Sequence, residues 1–120
     1  MTTHATELLA HGEAERAFAA IGIIAENLSP ARLASAFDAA GLRVEASEYI
    51  GGELLEFYEE RDRRCSRELM RLAHMTRARE RFVAELGPKT FDIAQALYRW
   101  TVYQLLGKTG ANIYTLKKEA

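Results

Sequence analysis

SPARLASAFDAAGLRVEASEYIGG, residues 29 to 52, reads as a helix that stops at a glycine and turns directly into a strand. Ser29 is placed to accept a hydrogen bond from the first free helical amides, and Pro30 stands where its missing N–H costs nothing. Leu33, Phe37 and Ala40 recur at helical spacing, and Gly41 supplies the left-handed residue that ends a helix, with Leu42 placed to fold back on the last turn. From Leu42 the period changes to two. Leu42, Val44 and Ala46 are expected on a buried face, with Arg43, Glu45 and Ser47 on a wet one. Gly51 and Gly52 then close the strand before a long charged helix that begins at about Glu53.

A lone strand cannot satisfy its own backbone, and the good candidate for a neighbour is the β-branched and aromatic stretch Asn112 to Lys117. The expectation is that Leu42–Ile50 and Asn112–Lys117 lie side by side and antiparallel. Two strands make a marginal sheet in water, so completion from outside the chain is expected as well.

The rest of the sequence is helical. Thr6 is read as the cap of a first helix carrying Leu8, Leu9, Ala14, Ala17, Phe18 and Ile21, with Gly12 as its weak point. In the charged segment from Glu53, the pairs Glu59 with Arg63, Glu60 with Arg64 and Arg64 with Glu68 are spaced to support a helix face. Thr76 to Leu86 reads as a shorter helix closed by Gly87 and Pro88. Thr90 then opens a helix through Leu106 that is apolar on most sides and is therefore expected at the centre of the packing. The fold class is α+β and mostly helical, with four to five helices and a two-stranded antiparallel pair.

With 120 residues, 48% hydrophobic and 28% charged, the chain is expected to form one domain over residues 1–120 with a core of its own. A net charge of −1 gives no global attraction to nucleic acid or to an anionic membrane. No apolar run approaches the roughly 20 residues of a membrane span, and MTTHATELLAHGEAER is too polar for a secretory signal. Cys65 stands alone, which excludes an internal disulfide and suits a reducing, cytoplasmic setting.

The order of parts resembles the C-terminal half of a class I S-adenosylmethionine-dependent methyltransferase. SPARLASAFDAAGL is similar to the helix leading into that family's sixth strand, LRVEASEYI to the strand itself, and NIYTLKK to the closing strand that returns antiparallel beside it. ATELLAHGEAERAFAAIGI resembles the substrate-covering helix after the fifth strand, and GGELLEFYEERD and ALYRWTVYQLLGK resemble the insertion between the last two strands of some members. The likeness spans nearly the whole chain. The family's cofactor loop after the first strand, and the acidic residue at the end of the second, have no counterpart here. The resemblance therefore implies a portion or subunit of a methyltransferase that supplies the substrate lid. S-adenosylmethionine would be bound only through a partner chain, with the first five strands coming from another polypeptide. Any enzyme activity would depend on that partner.

Toward a small organic acceptor, the resemblance points to His4, Tyr49, Glu53, Arg99, Trp100 and Tyr103 as substrate-facing residues. Histidine titrates near neutral pH without help, so His4 is also the candidate base. No catalytic residue is assigned beyond this, because methyl transfer needs little more than alignment and sometimes removal of a proton. No metal is expected, since His4, His11 and His74 stand in no metal-binding spacing and Glu7 with His11 offers only two ligands. Gly51 and Gly52 precede a helix as an anion loop would, but Glu53 and Glu56 in its first turn oppose an anion.

The basic run from Arg61 to Arg81 contains no aromatic residue among its arginines to stack on bases, and reads as a solvated face that binds no nucleic acid. Cys65 has no activating neighbour in sequence. The alternative function is a non-enzymatic helical interaction module that homodimerises through its exposed strands and the apolar face of Phe91 to Leu106. A small standalone enzyme, with its pocket among Tyr49, Trp100, Tyr103 and His4, is the third reading.

Overall fold

The computed structural model describes residues 1–119 and has the expected α+β, mostly helical character. Its strands are β1 (Thr2–Ala5), β2 (Leu42–Gly51) and β3 (Thr109–Lys118). Its helices are α1 (Glu13–Phe18), α2 (Pro30–Ala39), α3 (Glu53–Asp62), α4 (Arg64–Arg77), α5 (Arg79–Leu86) and α6 (Pro88–Leu105). Short 3-10 turns at Ala19–Ile21 and Ala25–Leu28 lead from α1 to α2.

The helix-to-strand unit forms as its residues dictate. The Ser29 side chain accepts from the Arg32 amide at 3.5 Å, Pro30 opens α2, and Gly41 takes φ +67 before β2. β2 and β3 pair antiparallel, with Leu42 opposite Lys118 and Tyr49 opposite Asn112.

The sheet has a third strand, in residues that the sequence reading assigns to no element. β1 pairs antiparallel with the other edge of β3, giving the order β1-β3-β2, with Thr2 opposite Asn112 and His4 opposite Gly110. Thr6 opens no helix. Its amide donates to the Lys108 carbonyl at 3.0 Å, its hydroxyl donates to the Gly107 carbonyl, and its oxygen accepts from the Leu8 amide at 3.2 Å. α1 starts only after Gly12, which sits at φ +73.

The expected alternation along β2 also changes. A bulge between Val44 and Ala46 pairs Val44 with Leu116 but Ala46 with Thr115, so Leu42, Val44, Ser47 and Tyr49 share one face and Ala46 moves to the other. Neither face is deeply covered, because β2 carries no buried residue.

The segment from Glu53 to Arg77 forms two helices rather than one. Arg63 lies between them at φ +58, the only non-glycine residue with positive φ among the described residues. Asp62 accepts from the Arg64 amide at 3.1 Å and Glu59 from the Ser66 amide at 2.8 Å, so carboxylates cap the new helix start. The three ion pairs expected from i,i+4 spacing do not form within 4.0 Å: the break separates Glu60 from Arg64, Glu59 is engaged by Ser66, and Arg64 of the third pair turns to Asp62 at 3.9 Å. Cys65 is buried beside this break, its thiol donating to the Leu55 carbonyl at 3.3 Å. Burial and the nearby Glu59 and Glu68 carboxylates push that thiol's pKa up, away from reactivity.

α6 is the central helix, packed against α1, α3, α4, α5 and β3. Ala14, Ala17, Phe18 and Leu28 form the main buried cluster, with Trp100 and Tyr103 of α6 against it. Phe91 is fully buried near the other end of α6. Among the described residues, no helix is long and apolar enough to cross a membrane.

Candidate functional site

A groove of about 500 Å³ opens where β1 and β2 end and β3 begins. His4, Ala5, Thr6 and Glu7 line it from the end of β1, Tyr49 from β2, and Gly107, Asn112 and Tyr114 from β3 and its approach. Pro30 closes one side. Pairing places the side chains of His4, Asn112, Tyr114 and Tyr49 on one face of the sheet.

His4 is buried, with 6% of its surface exposed. Nε2 lies 2.7 Å from the Tyr114 hydroxyl and 3.4 Å from Thr2 Oγ1, and the two rings meet edge to face at 5.8 Å. Tyr114 is braced in turn by Phe37 of α2 at 5.3 Å. His4 Nδ1 is buried without a hydrogen-bond partner. Burial lowers the imidazole pKa, and the Leu28 backbone opposes that shift without cancelling it. The result is a neutral ring at pH 7, held through one nitrogen.

Tyr49 reaches across the sheet over Gly110. A Cβ at Gly110 would lie 2.7 Å from Tyr49 Cε2 and Cζ, so the glycine makes room for the ring. The tyrosine is itself 59% exposed and forms an open wall of the groove.

His4 and Tyr49 are therefore brought together, and the other sequence-predicted site residues lie elsewhere. Trp100 and Tyr103 meet the Phe18 ring edge to face at 5.0 and 5.4 Å, which makes them part of the helical core. Three residues apart on α6, they share the face turned to α1. Glu53 is exposed in the first turn of α3. Arg99 borders a different cleft, between α1 and α6. Tyr114, Asn112 and Gly110 are the groove residues that the sequence reading missed. Their spacing of two along β3 was the available signal.

A charged cleft of about 490 Å³ lies between α1 and α6, with Glu13, Arg16, Arg99, Tyr103 and Lys108 on its walls. Lys108 Nζ lies 2.5 Å from Glu13 Oε1 and 5.0 Å from the centre of the Tyr103 ring. The lysine, followed by the Ala10 amide, holds the Glu13 carboxyl down at about 2, while Glu13 raises Lys108.

Gly52 at the start of α3 packs against α6, where a Cβ would lie 3.3 Å from the Gln104 carbonyl, and Glu53 and Glu56 stand in the first turn. Among the described residues, no group of three or more His, Cys, Asp or Glu side chains is placed to hold a metal ion. No protein-family model matches the chain, and no curated protein or solved structure matches it.

Proposed function

We propose that this chain is the C-terminal portion of a class I S-adenosylmethionine-dependent methyltransferase. It supplies the last strands and the helical cover of an acceptor site, and a partner chain holds the cofactor. One observation carries the reading: the groove lies at the carboxyl ends of β1 and β2, in a sheet that this chain leaves incomplete on the β1 side. β1 carries no strand on its outer edge, and β3 runs on from Ile113 to Lys118 with β2 alone beside it.

β1 directly precedes the segment resembling the helix after the family's fifth strand, so it stands where that strand would stand. On this reading the partner contributes four strands, not five, on the open side of β1. A small organic acceptor would enter between Tyr49 and Thr6. The neutral His4, steadied by Tyr114, is the group able to take its proton. Trp100 and Tyr103 contribute by fixing α6 under the site. The lone buried Cys65 suits a cytoplasmic setting.

The test is light scattering and calorimetry with S-adenosylmethionine, on the purified chain and on the complex recovered through a tag on it. The expected result is no cofactor affinity for the chain alone and clear affinity for the complex. Micromolar binding by the chain alone would overturn the division of labour. A monodisperse homodimer indifferent to the cofactor, alone and as recovered from cells, would replace this reading with the interaction module.

A further inference from the structure

The charged cleft between α1 and α6 carries a second inference that does not depend on methyl transfer. Its single carboxylate is already neutralised, since Glu13 is joined to Lys108 and faces the Tyr103 hydroxyl. Two guanidiniums remain. Arg16 and Arg99 both border this cleft and both border an adjoining concavity of about 500 Å³ that Gln95 and Asp92 also line. Among the described residues, neither guanidinium has a carboxylate within 4.0 Å or a hydrogen-bond partner, and Asp92 lies instead at 4.0 Å from Arg79. The Arg16 head group folds back over Gly12, where a Cβ would lie 3.0 Å from one of its terminal nitrogens.

Two like charges lining one cleft repel unless an anion joins them, and the guanidinium fork matches the paired oxygens of a carboxylate or phosphate. We propose that Arg16 and Arg99 form a binding site for the oxyanion group of a small organic acid, with Ala10 and Ala17 as the apolar wall for the rest of the molecule. Asp92 in the adjoining concavity disfavours an extended polyanion, which limits the ligand to one with a localised charge.

Calorimetric titration of the full chain with inorganic phosphate and, separately, with malonate tests this and distinguishes the two oxyanions. Saturable one-to-one binding of either is expected, weakened about tenfold or more by Arg99→Ala and by Arg16→Ala, as loss of a charged hydrogen bond implies. Arg71→Ala, on α4, should leave it unchanged. Thermal unfolding identifies the variants that remain folded, and exposed Arg16 carries the test if Arg99→Ala does not. Binding that survives both substitutions, or that is no tighter than that of chloride, would overturn the site.

Discussion

Phe18 and Phe91 are completely buried in the helical half of the molecule, whereas α2 and β2 together contain no buried residue. β3 belongs to both regions. Its first four residues, Thr109 to Asn112, are buried between β1 and β2, and from Ile113 onward none is. The molecule is accordingly long, 56 × 30 × 24 Å, with a packed body and a ribbon braced by α2. Val44, Tyr49, Ile113 and Leu116 leave 36–59% of their surface exposed on that ribbon. Backbone pairing alone gives little independent stability to two strands, so the ribbon depends on its attachment to the body. The groove lies at the junction of the two regions, with His4 from the body's strand and Tyr49 from the ribbon's. This division suits a chain whose open sheet meets a partner while its helices fold around their own core.

The largest expected effect separates the two regions directly. Phe18→Ala removes the ring on which Trp100 and Tyr103 rest and should cost about 3–5 kcal/mol. Val44→Ala on the ribbon should cost under about 1 kcal/mol, as a half-exposed site allows. Urea unfolding of both variants measures the contrast. Similar losses would mean that the ribbon is as much core as the helices are.

The next prediction concerns the seam. Gly110→Ala drives a methyl group into the Tyr49 ring and should cost about 1–3 kcal/mol. Adding Tyr49→Ala should recover most of it, with a coupling above about 0.5 kcal/mol in the double-mutant cycle. Additive losses would show that the tyrosine does not rest on that glycine, and the groove would lose its outer wall.

The elements differ in how far local signals could reveal them. Ser29, Pro30 and Gly41 act on their immediate neighbours, so α2 and its turn into β2 are legible in sequence. β1 is four residues long and its partners lie more than a hundred positions away, so nothing near Thr2–Ala5 announces it. The break at Arg63 needs Asp62 and Glu59 to cap a helix that sequence periodicity carries straight through. The site follows the same rule. His4 and Tyr49 came from resemblance, but Asn112 and Tyr114 join them only once β3 is in register with both neighbours. Trp100 has the composition of a pocket residue, and only packing shows that Phe18 occupies its face.

A smaller effect tests the body alone. Arg63 holds a left-handed conformation and none of the close ion pairs around Asp62, which are made by Arg61, Arg64 and Arg67. Arg63→Gly removes the Cβ clash and should stabilise the protein by about 1 kcal/mol, read as a rise in the urea midpoint. A loss instead would mean that the α3–α4 junction is held by the arginine side chain.

The smallest effect is a pH dependence that places His4 at the junction. Its folded pKa lies below the ordinary 6.5, because burial penalises the imidazolium. Well above pH 6.5 the ring is neutral in both states and contributes nothing to the pH dependence. As pH falls below 6.5 the unfolded chain takes up a proton that the folded chain resists, so stability declines until the folded pKa is passed. Glu13 acts in a separate window: its carboxyl is held at about 2 against an ordinary 4.5, so its contribution is intact above pH 4.5 and fades as pH falls toward 2. Urea unfolding between pH 7.5 and 5.5 should therefore show a decline for the natural chain, and His4→Gln should flatten it while leaving the acid limb of Glu13 in place. Stability that instead rises on acidification in this range would mean that the imidazolium is favoured, with Glu7 of the same groove as its counter-charge, and His4 would then be a cation awaiting an anionic ligand rather than a proton acceptor.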